Sequence, residues 1–217
     1  VDFFVTDKHR MLTEDERHRK NELLCTLAED LKVGKAKGTN SSRRFIHTAE
    51  FYGETRLSDE EINLIIAVHD DGNLVANKNG SISCRLEVAK PRKIQNILHV
   101  LNSLGIPYSE QKGKTTQGGL PTLRVQFRVP TWIFDFIDEN KDFKYTLMDL
   151  SKESKNAFIS CLKDWDGWTT ADNIEKGRTT FLYSQAECRI QSIEVVSALA
   201  TQCGLRNNTA VIRAEGH

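Results

Sequence analysis

Leu64-Ile65-Ile66-Ala67-Val68-His69-Asp70-Asp71-Gly72 and Ile159-Ser160-Cys161-Leu162-Lys163-Asp164-Trp165-Asp166-Gly167 are the stretches on which the reading of this chain turns. Each is a largely apolar run at helical spacing that gathers acids near its end and closes on Asp-Gly. Each leads into polar, strand-like sequence and then into an amphipathic helix closed by a glycine, Gly105 in the first case and Gly204 in the second. A helix-Asp-Gly unit therefore occurs twice and sets Asp71 and Asp166 at equivalent helix ends. A helix C-terminus carries partial negative charge and disfavours an anion. Two such ends packed side by side hold like charges together, which is costly without a cation between them. Magnesium takes oxygen ligands and is satisfied by one or two carboxylates, waters and a phosphate oxygen. One helix ending in Asp-Gly is usually a plain stop; it is the repetition that points to metal.

The sequence around the first run predicts a complete unit. Ser58-Asp59-Glu60-Glu61 has the form of a capping box, in which Ser58 and Glu61 satisfy each other's backbone amides. Asn77-Lys78-Asn79-Gly80 reads as a hairpin turn between two strands. Pro91 opens a helix carrying Ile94, Ile97, Leu98, Leu101 and Leu104. A second hairpin follows, with strands near Ile106–Gln111 and Leu120–Val129, and Pro130 opens a helix carrying Trp132, Ile133, Phe134, Phe136 and Ile137. The second unit starts near Ser151, with a strand over Arg178–Ser184 and a helix over Ala186–Gln202. Too little sequence follows Gly204 for a final strand and closing helix, so the second half reads as truncated.

Composition adds bounds. The chain has 217 residues, with 30 basic and 30 acidic side chains, so no overall basic charge announces nucleic acid. A local basic face is compatible with a neutral total. The five cysteines, Cys25, Cys84, Cys161, Cys188 and Cys203, form no C-x-x-C pair, which argues for reduced thiols, a cytoplasmic setting and no zinc. No apolar run reaches the roughly 20 residues of a membrane span.

The strands carry candidate recognition residues. In Ser81–Val88, alternation turns Ile82, Cys84, Leu86 and Val88 one way and Ser81, Ser83, Arg85 and Glu87 the other. In Leu120–Val129, Leu123, Val125 and Phe127 face the core while Thr122, Arg124, Gln126 and Arg128 face out. A row of Arg and Gln on a twisted antiparallel sheet suits the major groove, where Arg reads guanine and Gln reads adenine. An ordinary solvated sheet face has the same pattern. Lys112 and Lys114, in a Gly-rich loop, are candidate phosphate contacts.

With both Asp-Gly helices and the repeated unit in view, residues 58–217 resemble the single-chain LAGLIDADG homing endonucleases. The resemblance implies an α+β, pseudo-twofold fold of two αββαββα-type halves, 58–149 and 150–217, with antiparallel sheets docked on double-stranded DNA. It implies a monomer that cuts both strands with Mg2+ or Mn2+. Aligning the motif puts its metal-binding acid on Asp71 and on Asp166, as metal ligands and catalytic residues. The family places a basic residue near each active site, and Arg128 is the candidate for one. Departures from the pattern are Ile65 and Ile66 at the usually small helix-packing positions, His69 where an acid is common, and Lys163 at a usually apolar position. The alternative within the same resemblance is a catalytically silent nucleic-acid-binding relative, a maturase or a regulator.

Residues 1–57 read differently. Val1–Val5 is a short β-type run, Thr13-Glu14-Asp15-Glu16 looks like a helix start, and Leu23, Leu24, Leu27 and Leu31 follow at helical spacing. Val5–Leu12 resembles the T-x-x-H block of inteins, which implies a small, partial, β-rich Hint-like segment with Thr6 and His9 as the splicing-type residues. Ser184-Gln185-Ala186 followed by Ile190-Gln191 resembles the segment after the motif in intein-borne nucleases. Val1 and Gly216-His217 supply neither the Cys or Ser nor the Asn that splicing requires. The implied origin is an intein-derived nuclease of phage, microbial or organellar source, with a fragment that splices only with a partner chain as a further alternative.

Overall fold

The computed structural model describes residues 10–14, 23–27, 44–45, 52–116, 118–169, 181–185 and 189–205. The chain divides into two units, Val1–Ala49 and Glu50–His217. In the first, β1 (Arg10–Glu14), β2 (Leu23–Leu27) and β3 (Arg44–Phe45) form an antiparallel sheet in the order β2-β1-β3. This corrects the expected helix at the described residues of that stretch, Thr13-Glu14 and Leu23–Leu27, which are strand. Thr13 pairs with Leu24 and Glu14 with Leu23, so both lie within a strand. A run as short as Leu-Leu-Cys-Thr-Leu fits either period, and antiparallel pairing decides it here.

The second unit is α+β. Helix α1 (Asp59–Asp70) leads into β4 (Gly72–Ala76), β5 (Ile82–Val88), α2 (Pro91–Ser103), β6 (Tyr108–Lys112) and β7 (Leu123–Arg128). The four strands form an antiparallel sheet in the order β4-β5-β7-β6. Helix α3 (Lys152–Cys161), the short pair β8 (Gly167–Thr169) and β9 (Phe181–Tyr183), and α4 (Ile190–Gln202) repeat the opening of that sequence.

The local chemistry is as read. Ser58 accepts from the Glu61 amide at 3.2 Å while Glu61 accepts from the Ser58 amide at 2.8 Å, a complete capping box. Cys84, Leu86, Val88, Val125 and Phe127 are buried, and Cys84 pairs with Phe127 and Leu86 with Val125 across the sheet. Removing each such side chain from water contributes about 1.5–3 kcal/mol. The helix expected after Pro130 is instead a 3-10 turn, Thr131–Asp135. It is too short for a regular helix and serves to bury Ile133.

Two features hold α1 and α3 side by side. Their lead-ins form a parallel bridge, Thr55 to Leu150, with the Gly53 amide on the Leu150 carbonyl and the Ser151 amide on Thr55. A side chain at Gly53 would meet the Asp149 carbonyl oxygen at 2.1 Å, so this approach requires glycine. Farther along, the Asn63 amide donates to Cys161 Sγ at 3.1 Å, while its oxygen accepts from Asn96 at 3.0 Å and from the Trp165 indole at 3.3 Å. The bulky Ile65 and Ile66 are fully buried within the core. Among the described residues, no helix is long and apolar enough to cross a membrane.

Candidate functional site

The two Asp-Gly ends meet at Lys93. Its ammonium lies 2.6 Å from Asp71 Oδ2 and 3.2 Å from Asp166 Oδ1, 5.4 Å from the centroid of the buried Trp165 ring. Burial by itself would depress the Lys93 pKa, but the hydrogen bond and charge of Asp71, followed by those of Asp166, leave it above its usual value. Lys93 thus stays charged and serves as counter-ion to both acids. Lys93 was missed in the sequence, although a signal existed: Arg92-Lys93 puts two cations in the first turn of α2, where the helix dipole favours acids.

Asp71 caps α1 with a right-handed backbone, and the chain enters β4 at once. Gly72 is therefore not needed as a left-handed stop. It is needed because a Cβ there would meet the Val68 carbonyl oxygen at 2.4 Å and Cys84 Sγ at 2.8 Å.

A third carboxylate stands behind the pair. The Asp70 side chain is fully buried, and burial, then the charges of Asp166 and Asp71, push its pKa up to about 8. Its Oδ1 lies 2.7 Å from His69 Nδ1 and 3.3 Å from the Gln185 amide, while Oδ2 has no hydrogen-bond partner among the described residues. His69 is itself buried, stacked on Phe143 at 3.8 Å, and burial, then the Arg189 and Lys141 charges, lower its pKa to about 3. Its Nε2 is 2.9 Å from Ser192 Oγ, which donates to Asp142 at 2.8 Å and accepts from the Phe143 amide at 3.0 Å. Ser192 has one proton and directs it to Asp142, so His69 Nε2 is the donor toward Ser192. The short Nδ1–Oδ1 contact then carries the proton that Asp70 retains.

The helix ends themselves are held by cations. Lys141 Nζ donates to the His69 carbonyl at 3.1 Å and to the Gly72 carbonyl at 2.5 Å, from a backbone at φ 67. Burial, and then the Arg189 charge, lower its pKa. Arg189 donates to the same His69 carbonyl at 2.9 Å. At the other acid, Arg92 donates to the Lys163 carbonyl at 3.1 Å and to the Trp165 carbonyl at 3.4 Å.

The donor chemistry of this corner fits a divalent cation. Asp71 and Asp166 share one ammonium, which leaves net negative charge, and that charge adds to burial in holding the proton on Asp70. Among the described residues no group of three or more His, Cys, Asp and Glu forms a ready cage, so a cation here would complete its shell with water or phosphate.

The other sequence candidates occupy the sheet. Ser83 faces Arg128 across β5 and β7, Arg85 faces Gln126, and Glu87 faces Arg124. Arg85 and Arg128 are exposed, whereas Arg124 is tied to Glu87 at 2.9 Å. Glu87 also accepts from the Thr122 hydroxyl at 3.0 Å and from the Lys114 amide at 3.0 Å. Lys112, at the end of β6, is exposed, as is Lys114 in the loop. Arg128 lies at the end of β7; the basic side chain in contact with both acids is Lys93. Thr6 and His9 lie outside the described residues.

No family model and no curated protein matches the chain. Among solved structures, the homing endonuclease I-WcaI bound to its DNA recognition sequence is 19% identical at TM-score 0.36, covering 55% of this chain and 56% of that one, so the chain spans about half its length. I-DmoI in complex with DNA and Mn is 14% identical at TM-score 0.41, covering 69% and 80%. The N-terminal LAGLIDADG domain of WhiA is 14% identical at TM-score 0.31, covering 70% and 85%.

Proposed function

We propose that the chain is a site-specific double-strand DNA endonuclease of LAGLIDADG type that depends on Mg2+ or Mn2+. The single observation that carries this reading is the convergence of Asp71 and Asp166, from equivalent ends of two repeated helices, on one ammonium. In this reading Asp71 and Asp166 hold the cation. When bound, a divalent ion would supply a Lewis acid and lower the pKa of its bound water, making hydroxide available near neutral pH. Lys93, buried and charged, stabilises negative charge that develops on a phosphate placed against the acids. Asp70 keeps its proton behind them and limits the charge that the pair must bear. The exposed Arg85 and Arg128 and the half-buried Gln126 of the sheet read base edges, Ser83 and Thr122 flank them, and Lys112 and Lys114 meet phosphates. The protein acts as a monomer of two halves, 58–149 and 150–217. Its intein origin, and the splicing-type roles of Thr6 and His9, rest on the sequence block alone.

The test is a randomised duplex library carried on plasmid, incubated with protein and Mg2+. The expected result is linear product from a small set of inserts, with none in EDTA. Specific retention of DNA without cleavage in Mg2+ or Mn2+ counts against it. That outcome belongs to the second reading, a silent DNA-binding relative, which one observation favours: Lys93 already neutralises part of the charge that a metal would otherwise offset.

A further inference from the structure

The two repeats brace each other's acids. Arg92 stands in the first turn of α2, in the first repeat, yet its guanidinium reaches the Lys163 and Trp165 carbonyls just before Asp166 in the second. Arg189 directly precedes α4, in the second repeat, yet it reaches the His69 carbonyl just before Asp71 in the first. Both arginines thus sit at the start of the helix that follows their own repeat's strands, and both cross to the other repeat's acid-bearing end. The last carbonyls of a helix lack partners within it, and a cation at that end both satisfies them and offsets the dipole. These are the helix ends where the acids sit. An arginine is charged at every working pH, so it is a permanent cation at that helix end.

Resting on the metal reading of Asp71 and Asp166, we propose that Arg92 and Arg189 are reciprocal positioning residues that set the two carboxylates at one separation and thereby tune metal affinity. Each acts through the backbone of the acid-bearing end that it holds. The His69 carbonyl keeps Lys141 when Arg189 is lost. The effect at Arg92 is therefore the larger of the two.

The probe is Tb3+, read by luminescence sensitised through Trp165, whose ring lies 5.4 Å from the ammonium between the acids. Wild type, Arg92→Gln, Arg189→Gln and the lysine variants Arg92→Lys and Arg189→Lys are titrated, with melting temperature measured in parallel; Asp71→Asn and Asp166→Asn mark the loss of the site. The expected result is Tb3+ affinity about tenfold weaker in Arg92→Gln, as when partners that orient metal ligands are removed. A smaller loss is expected in Arg189→Gln, with affinity recovered by lysine while melting stays near wild type. Wild-type Tb3+ affinity in both glutamine variants overturns the inference and leaves the metal reading standing. So does a loss that merely tracks melting and that lysine does not restore. A wild type that binds no Tb3+ overturns the metal reading and this inference with it.

Discussion

Lys93 is the residue on which the corner balances. Its side chain is 7% exposed, against 26% for Asp71 and 36% for Asp166, so the ammonium is the deepest member of the trio. Lys93→Met leaves two carboxylates facing each other without their counter-ion. The expected cost in metal-free buffer is about 2 kcal/mol, and millimolar Mg2+ restores more stability to the variant than to wild type. Urea melts with and without Mg2+ measure both. Equal Mg2+ stabilisation in the two proteins would show that the acids do not compete between ammonium and metal. Gly72 is the second sensitive residue. Gly72→Ala forces a methyl group into the Val68 carbonyl and Cys84, and a loss of about 1–3 kcal/mol is expected from the strain, read as a lower urea midpoint at constant slope.

At the scale of elements, the sheet has a built asymmetry between its arginines. Arg124 is engaged by Glu87, while Arg85 and Arg128 project into solvent. The Arg124 hydrogen bond, then the Lys114 amide and Thr122, bring the Glu87 pKa down from 4.5 to about 2. A carboxylate whose folded pKa is depressed stabilises the fold above its unfolded pKa and loses that contribution as pH falls toward the folded one. The fold is therefore expected to weaken between pH 4.5 and about 2, and less so in Glu87→Gln, which acid titration followed by circular dichroism measures. If the sheet meets DNA, the same variant frees Arg124 for a phosphate and steepens the salt dependence of binding by about one unit. An unchanged slope would remove Arg124 from the interface.

How much of these elements could be read beforehand follows from what kind of interaction forms each one. The capping box at Ser58 and Glu61, the Asn77–Gly80 hairpin and the Pro91 start of α2 depend on neighbours within a few residues, and all are legible in the sequence. Alternation along β5 and β7 is legible for the same reason, since a strand's period assigns its faces. The N-terminal strands were not legible, because Leu23, Leu24 and Leu27 satisfy helical spacing and only pairing with β1 decides between the two. The partners of Asp71 and Asp166 were hidden for a stronger reason. Lys93, Lys141, Arg92 and Arg189 reach the acids or their helix ends from distant segments, and no local pattern encodes such a contact.

Across the whole second unit, the repeat explains why the acids meet at all. The Thr55–Leu150 bridge starts α1 and α3 together and in the same direction, and the same offset in sequence separates Asp71 from Asp166 at their far ends. Helices that start in register and run parallel finish in register. The bulky Ile65 and Ile66 are absorbed by the core without parting the ends, since Lys93 still spans both acids. The central claim is that these two carboxylates form one metal-dependent cutting centre. The most direct measurement is the rate of Mg2+-dependent double-strand cleavage of a library-selected duplex by wild type, Asp71→Asn and Asp166→Asn. The account predicts that each substitution lowers the rate at least about a hundredfold while DNA binding in the absence of metal persists. Cleavage at the wild-type rate by either variant would contradict it.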